Sequence, residues 1–489
     1  AAHAAIAQTP LDLLVIGGGI VGAGVARDAA MRGLKTALVD ASDFASGTSS
    51  RSSRLLHGGI RYLEQYRVGL VHESSVEKKV VHHIAPHLGE QRGFVFPVYK
   101  GGRPMWMMRI GVKMYDLLCN GRNFAPSRGY TRDETIAKLP QIDTSVLRGS
   151  VRYYDALTSD ARLTLDTLRS AQNAGALLSN YTRFLNANYA NGFWNVQLQD
   201  TLTGQPINTT ARAILNAAGP WSEKIPHSSI KLRLTKGIHI VVDRSKVSVG
   251  KDEKGFDEAV TMVEGKRILF LIPWGQRLII GTTDTDYDAR PEDVAVDLDD
   301  IDYVLETVNK TFSGIKLTRD DIISSWSGVR PLIANRDGSP SDTSRAHKIA
   351  NPETGWWDIA GGKLTTYRLM AEQAVTKIVK FLQINATSCR TATEPLLPAD
   401  QTRYTGIIPP EITEEVVKHY VDNEWAIHLD DLLLRRTSWH YYHENIPARA
   451  PEIARWMAAA AGWDDSRTAA ELAAYQKEAK KTYPASKQP

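Results

Sequence analysis

The start of the chain leaves little freedom of fold: Leu14-Val15-Ile16-Gly17-Gly18-Gly19-Ile20-Val21-Gly22-Ala23-Gly24. An apolar strand runs into Gly17, Gly19 and Gly22, a helical run Ala23 to Met31 follows, and Ala37-Leu38-Val39-Asp40 closes the unit as a second strand. That order is a dinucleotide-binding fingerprint rather than three glycines in chance register. Gly17 permits the tight turn, and Gly19 lets a pyrophosphate approach the backbone. Gly22 allows helix and strand to pack closely, so phosphates sit on the positive helix N-terminus. Asp40 lies about 20 residues on, where an acid binds a ribose hydroxyl. A glycine turn in an ordinary α/β unit has no need of that acid.

The 489 residues have room for roughly two to four domains and a large core. A net charge of +4 is too weak to argue for nucleic acid and suits anionic lipid or anionic substrates. Cys119 and Cys389 are the only cysteines, which excludes a disulfide scaffold or a cysteine-rich metal site and fits a reducing, cytoplasmic compartment. No metal site is expected. No apolar run approaches the roughly 18 residues of a membrane-spanning helix. Ala1 to Pro10 lacks a charged n-region and an apolar h-region and reads as a processed or truncated tail.

Ser42 to Arg54 is small and hydroxyl-rich, a poor core element and a good wrap for a polar cofactor; a plain Ser-rich linker is the alternative. Helical patterns occupy Val71 to Ile84 and Leu163 to Ala174. The stretch Ala213 to Trp221 is an apolar strand ending in Ala217-Ala218-Gly219, which again brings backbone against a ligand. A strand-rich block follows, with Ile268–Ile272 and Leu278–Thr283 at hairpin distance. It reads as an antiparallel sheet inserted into the first domain. Trp356 to Arg368 repeats the opening logic of strand, glycine turn and helix, the helix running to Leu382, so a second helix N-terminus is available to the cofactor. Leu396 to Pro410 looks like a linker, and the remainder is helical. Gly101 to Tyr115 mixes Trp106 and several methionines with Arg103, Arg109 and Lys113. This is the text of an interfacial helix or of a core helix with Met as filler.

These residues together resemble the FAD-dependent glycerol-3-phosphate dehydrogenase family, within the D-amino-acid-oxidase-like flavoproteins. The stretches that carry the resemblance are Val15–Ile20, Thr48-Ser49-Ser50, His57–Glu64, Asn216–Trp221, Lys236–Val241, Gly281–Asp284, Ser327–Leu332 and Gly361–Arg368. Leu432–Thr437 matches as well, whereas the linker before it is short and the tail after Trp439 diverges. The resemblance implies an α/β fold with a Rossmann-like FAD-binding domain (11–80, 145–225 and 320–385), an inserted antiparallel-sheet substrate domain (81–144 and 226–319) and a helical C-terminal domain (395–489).

It also implies a chemistry. Oxidising a secondary alcohol with flavin requires removal of the hydroxyl proton and transfer of the carbon-bound hydride to flavin N5. Glycerol 3-phosphate carries a nearly doubly charged phosphate, which calls for two or more cationic donors. The substrate candidates implied are Arg61, Arg330, Arg345 and Lys363. Arg330 and Lys363 rank first because they lie in apolar, glycine-flanked text; Arg345 sits in a polar loop, where an ordinary surface arginine is equally expected. His239, in mid-strand, is either a satisfied core histidine or the general base. Arg330 as stabiliser of the alkoxide is the alternative, so the catalytic set is His239, Arg330 and Lys363. The cofactor set is Gly17, Gly19, Gly22, Asp40, Thr48, Ser49, Ser50, His57, Gly58, Gly59, Ala218, Gly219, Gly362, Lys363, Leu364 and Thr365, with FAD bound non-covalently. A single fingerprint leaves no second nicotinamide site, so the expected electron acceptor is quinone or oxygen. The favoured reading is a quinone-linked dehydrogenase, peripheral on the inner face of the membrane, with a homodimer among its expected partners. The rivals are an oxidase releasing hydrogen peroxide, a flavin oxidase of another polyol phosphate or an amino acid, and, from a different class, a flavin-binding scaffold or RNA-modifying flavoprotein, the latter disfavoured by the weak net charge.

Overall fold

The computed structural model describes residues 2–121, 123–265, 267–334 and 347–482. Leu13, Leu14 and Val15 are fully buried, as befits a central parallel strand covered on both faces. That strand, Leu11–Ile16, pairs in parallel with Pro206–Asn216 on one side and Thr36–Val39 on the other. Trp356–Gly361 and Leu177–Ser179 extend the parallel core, within an eight-stranded sheet. Ile16, Asn216 and Gly361 therefore end at one sheet edge, and the three turns that follow them open into one crevice. Ligands bind at such carboxyl ends of parallel strands. Helices Ile20–Met31, Asp160–Asn173 and Tyr367–Leu382 cover one face, interlocking through Val25, Ala29, Leu165, Leu168, Ala371 and Val375.

The second sheet has ten strands. Its two longest strands, Leu232–Asp243 and Ile322–Ile333, pair antiparallel, and the first also pairs antiparallel with Arg277–Gly281. Arg267–Trp274 and Arg277–Gly281 form the expected hairpin. Gly275 takes φ +57° in the two-residue turn, a left-handed conformation that suits glycine. Leu55–Leu56, Leu147–Leu157 and Ile322–Ile333 hydrogen-bond in this second sheet, although the sequence boundaries group them with the first.

The C-terminal helices Glu414–Asn423, Ile446–Ala461 and Asp465–Ala479 close on Val417, Tyr420, Trp439, Ile453 and Met457. The stretch before them is not a free linker: Leu396 and Leu397 are buried, and the Leu396 N–H donates to the Ile84 carbonyl (2.8 Å). Helix Met105–Leu117 buries Val112 and Tyr115 but leaves Trp106, Ile110 and Leu117 58–69% exposed. It is therefore not a core helix.

Candidate active site

A cavity of about 830 Å³ runs between the two sheets, within the roughly 300–1,000 Å³ usual for cofactor sites. One end is the glycine turn. Gly17 has φ +109°, and a Cβ there would stand 2.6 Å from the Ala217 carbonyl oxygen. A Cβ on Gly22 would come within 1.9 Å of the Gly17 carbonyl oxygen, so Gly22 lies behind the cavity and serves the packing of helix on turn. Asp40 lines the cavity and folds back on the turn, its Oδ2 accepting from the Gly18 N–H (2.7 Å) and its Oδ1 from the Ser42 N–H (2.9 Å). Desolvation pushes its pKa up to about 6 against the lowering effect of those two donors.

The hydroxyl-rich stretch lines the same cavity with Ser46, Gly47, Thr48, Ser49, Ser52 and Ser53. Its side chains mostly serve the protein. Ser49 Oγ accepts from the Ile20 N–H (2.9 Å) at the start of the helix, and the Thr48 hydroxyl donates to the Val329 carbonyl in the second sheet (2.6 Å). Ser50 is buried and bonds locally to the Gly47 carbonyl (3.5 Å). Ala218, Gly219, Gly362, Lys363 and Leu364 complete the wall, as does His57. Thr365 stands behind His57, its hydroxyl donating to the His57 carbonyl (3.1 Å) and accepting from its N–H (3.0 Å). Gly58 and Gly59 back the same loop rather than lining it. The Gly58 N–H donates to Tyr115 Oη (2.7 Å), which in turn donates to buried Asp155 (2.6 Å).

His239, Arg330 and Lys363 also stand on the cavity wall. His239, 2% exposed, pairs through Nε2 with Ser53 Oγ (2.9 Å), while Nδ1 has no hydrogen-bond partner among the described residues. Burial, then the charges of Arg330 and Arg54, hold its pKa well below the ordinary histidine value. The ring is therefore neutral at physiological pH. Arg330 donates through Nη2 to Thr282 Oγ1 (2.9 Å) and through Nη1 to Asp284 (3.2 Å). Its guanidinium occupies space that Gly237 leaves open, since a Cβ there would be 2.2 Å from Nη2. Lys363 Nζ donates to Ser74 Oγ (3.2 Å) and lies 4.4 Å from the centroid of the Tyr62 ring. Arg61 does not line the cavity; it packs on the same Tyr62 ring (5.1 Å) and donates to its hydroxyl (3.3 Å). Arg345 lies outside the described residues.

Three residues here escape sequence reasoning. Tyr62 joins Lys363 to Arg61 and sits inside a quoted motif without any local sign of that role. Trp326 stacks on His239 (5.1 Å, 19° between planes). Arg54, 1% exposed, lies between Trp326 (4.9 Å) and Trp274 (4.5 Å), with Asp160 3.8 Å away. The result is a stack of His239, Trp326, Arg54 and Trp274, built from four segments of the chain that only the fold brings together.

The donor set fits FAD. A glycine turn stripped of side chains and a carboxylate at the next strand end suit the dinucleotide half, and an uncrowded wall with a neutral histidine and two cations suits the reacting end. Comparisons agree. Residues 12–362 match the family model for FAD-dependent oxidoreductases, and residues 390–468 match that for the C-terminal domain of alpha-glycerophosphate oxidase. The aerobic glycerol-3-phosphate dehydrogenase of Staphylococcus aureus (strain USA300) is 39% identical over 383 residues, covering 76% of this chain and 67% of that protein. Among solved structures, the glycerol-3-phosphate dehydrogenase of Bacillus halodurans complexed with FAD superposes with a TM-score of 0.79 at 28% identity, covering 100% of this chain and 98% of that one. The L-alpha-glycerophosphate oxidase of Mycoplasma pneumoniae shares the fold (TM-score 0.61, 17% identity, covering 80% of this chain and 100% of that one). The chain thus belongs to the FAD-dependent oxidoreductase family, in the branch of the glycerol-3-phosphate dehydrogenases and oxidases.

Proposed function

We propose that this protein oxidises sn-glycerol 3-phosphate to dihydroxyacetone phosphate and delivers the electrons to a membrane quinone. The observation that carries the reading is that Arg330, Lys363 and the buried His239 line the same cavity as the glycine turn, with the Arg330 charge close enough to act on His239. When bound, FAD supplies the hydride acceptor, flavin N5. Arg330 and Lys363 hold the phosphate, since a dianion buried this deeply needs more than one cation. His239 takes the C2 hydroxyl proton, and Ser53 fixes the tilt of its ring. The Arg330 charge favours the alkoxide that develops as that proton leaves. The test is a panel of polyol phosphates, free polyols and amino acids mixed with the enzyme without oxygen. Glycerol 3-phosphate should bleach the flavin fastest, and bleaching by free glycerol or an amino acid alone would sink the assignment.

Membrane delivery is supported by helix Met105–Leu117, whose exposed Trp106, Ile110 and Leu117 share the helix with exposed Arg109. Apolar side chains rimmed by basic ones suit a lipid interface. No helix among the described residues is long and apolar enough to cross a membrane, so the attachment proposed is peripheral. The rival acceptor is oxygen, and the match of residues 390–468 to an oxidase domain is the observation in its favour. Hydrogen peroxide formed at the rate of turnover in air, with quinone withheld, would select the oxidase.

A further inference from the structure

The loop that follows the second strand links the glycine turn to the C-terminal domain through buried contacts. At one end of this loop Asp40 grips the Gly18 N–H. Phe44 covers Gly18 so closely that a Cβ there would be 2.4 Å from the ring, and the Ala45 N–H donates to the Gly18 carbonyl (3.0 Å). The other side of the loop faces the C-terminal domain. Phe44 packs edge-on against Trp425 (5.3 Å, 87°). Asp43, fully buried, takes both prongs of the Arg436 guanidinium (2.6 and 2.7 Å) and Arg435 Nε (2.5 Å). Those arginines are themselves held. Arg436 donates to the carbonyls of Glu424 (2.7 Å) and Trp425 (3.0 Å). Arg435 donates to Asp431 (2.6 Å), which also accepts from the Tyr181 hydroxyl (2.6 Å). A planar fork on a buried carboxylate fixes position as well as charge.

We propose that the C-terminal domain forms part of the cofactor site: Arg436 and Trp425, acting through Asp43 and Phe44, position Asp40 and the glycine turn for the adenosine half of FAD. They are positioning residues, since neither lines the cavity. A second buried network ties the same domain to helix Asp160–Asn173, with Arg162 on Glu424 (2.6 Å) and Arg169 on Asp166 and Glu424 (3.3 Å each). None of these four residues lines the cavity or belongs to the loop. Arg169 serves as the internal control: its network shares Glu424 with Arg436, but Arg169 meets only the Glu424 carboxylate and touches neither Asp43 nor the loop.

The experiment uses the full-length chain stripped of flavin and titrated separately with FAD and with ADP, which lacks the flavin. Arg436→Gln and Trp425→Leu should weaken both ligands by the same factor, ~10-fold or more. Arg169→Gln should lower the melting temperature and leave both affinities within about twofold of wild type. Wild-type ADP affinity in Arg436→Gln, or an equal loss in Arg169→Gln, overturns the proposal and reduces the arginines to domain glue. Should Arg436→Gln fail to fold, Arg436→Lys keeps the charge without the fork. Unchanged ADP affinity in both Arg436→Lys and Trp425→Leu would overturn it too. Because ADP binding involves no substrate, the result is independent of whether glycerol 3-phosphate is the alcohol oxidised.

Discussion

The two ends of the cavity are built by opposite means. At the glycine turn the ligand-facing surface is mostly backbone, held by contacts inside Gly17 to Ser49. At the other end it is side chain: His239, Arg330 and Lys363, carried by different strands and turns and held in place by Ser53, Thr282 and Tyr62. Backbone recognition tolerates no added atom, and side-chain chemistry tolerates no lost one. Damage at the first end should therefore show as lost stability and cofactor, and damage at the second as lost turnover in a protein that keeps its flavin.

The largest effect expected is at Arg330. Arg330→Met should lower kcat/KM for glycerol 3-phosphate at least about 1,000-fold while the purified protein keeps its flavin. A colourless variant would show that the two ends are not separable. Paired glycine substitutions sharpen the contrast. Gly22→Ala forces a Cβ to within 1.9 Å of a backbone oxygen, so thermal unfolding should report a loss of about 1–3 kcal/mol or more together with reduced FAD content. Gly237→Ala meets side-chain atoms rather than backbone, the Arg330 guanidinium and the Thr282 hydroxyl, at 2.2 and 2.5 Å. It should leave unfolding nearly unchanged and raise KM.

The smallest effect is electrostatic. Asp40, with its pKa near 6, must be ionised to accept a ribose hydroxyl as a full carboxylate, so ADP affinity measured by calorimetry should weaken as pH falls through about 6. Its contribution to stability has the opposite sign. The folded state binds that proton more tightly than the unfolded chain, so the contribution is complete below the ordinary carboxylate pKa and is lost as pH rises through about 6. An ADP affinity flat from pH 8 to about 5 would remove Asp40 from the ribose.

Legibility follows the same division. Gly17, Gly22 and Asp40 were readable because a turn, a close approach and a strand-end acid are local demands on a short stretch of chain. The parallel core and the hairpin at Gly275 were readable for the same reason. His239 could be seen only as a histidine in an apolar strand, and the family resemblance, not its neighbours, suggested a base. Arg54 is surrounded by serines and leucines in sequence, and nothing there announces two tryptophans more than 200 residues away. Helix Met105–Leu117 has the composition of core and interface alike, and only packing reveals which face is left uncovered. Asp43 and Arg436 lie almost 400 residues apart, so their pairing is a property of the fold alone.

The most direct test is single-turnover flavin reduction by saturating glycerol 3-phosphate without oxygen, for wild type beside His239→Gln at equal FAD occupancy. The wild-type flavin should bleach, and the variant should bleach at least about 100-fold more slowly. A wild-type protein that stays yellow, or a variant that bleaches at the wild-type rate, would contradict the assignment of chemistry to this end of the cavity.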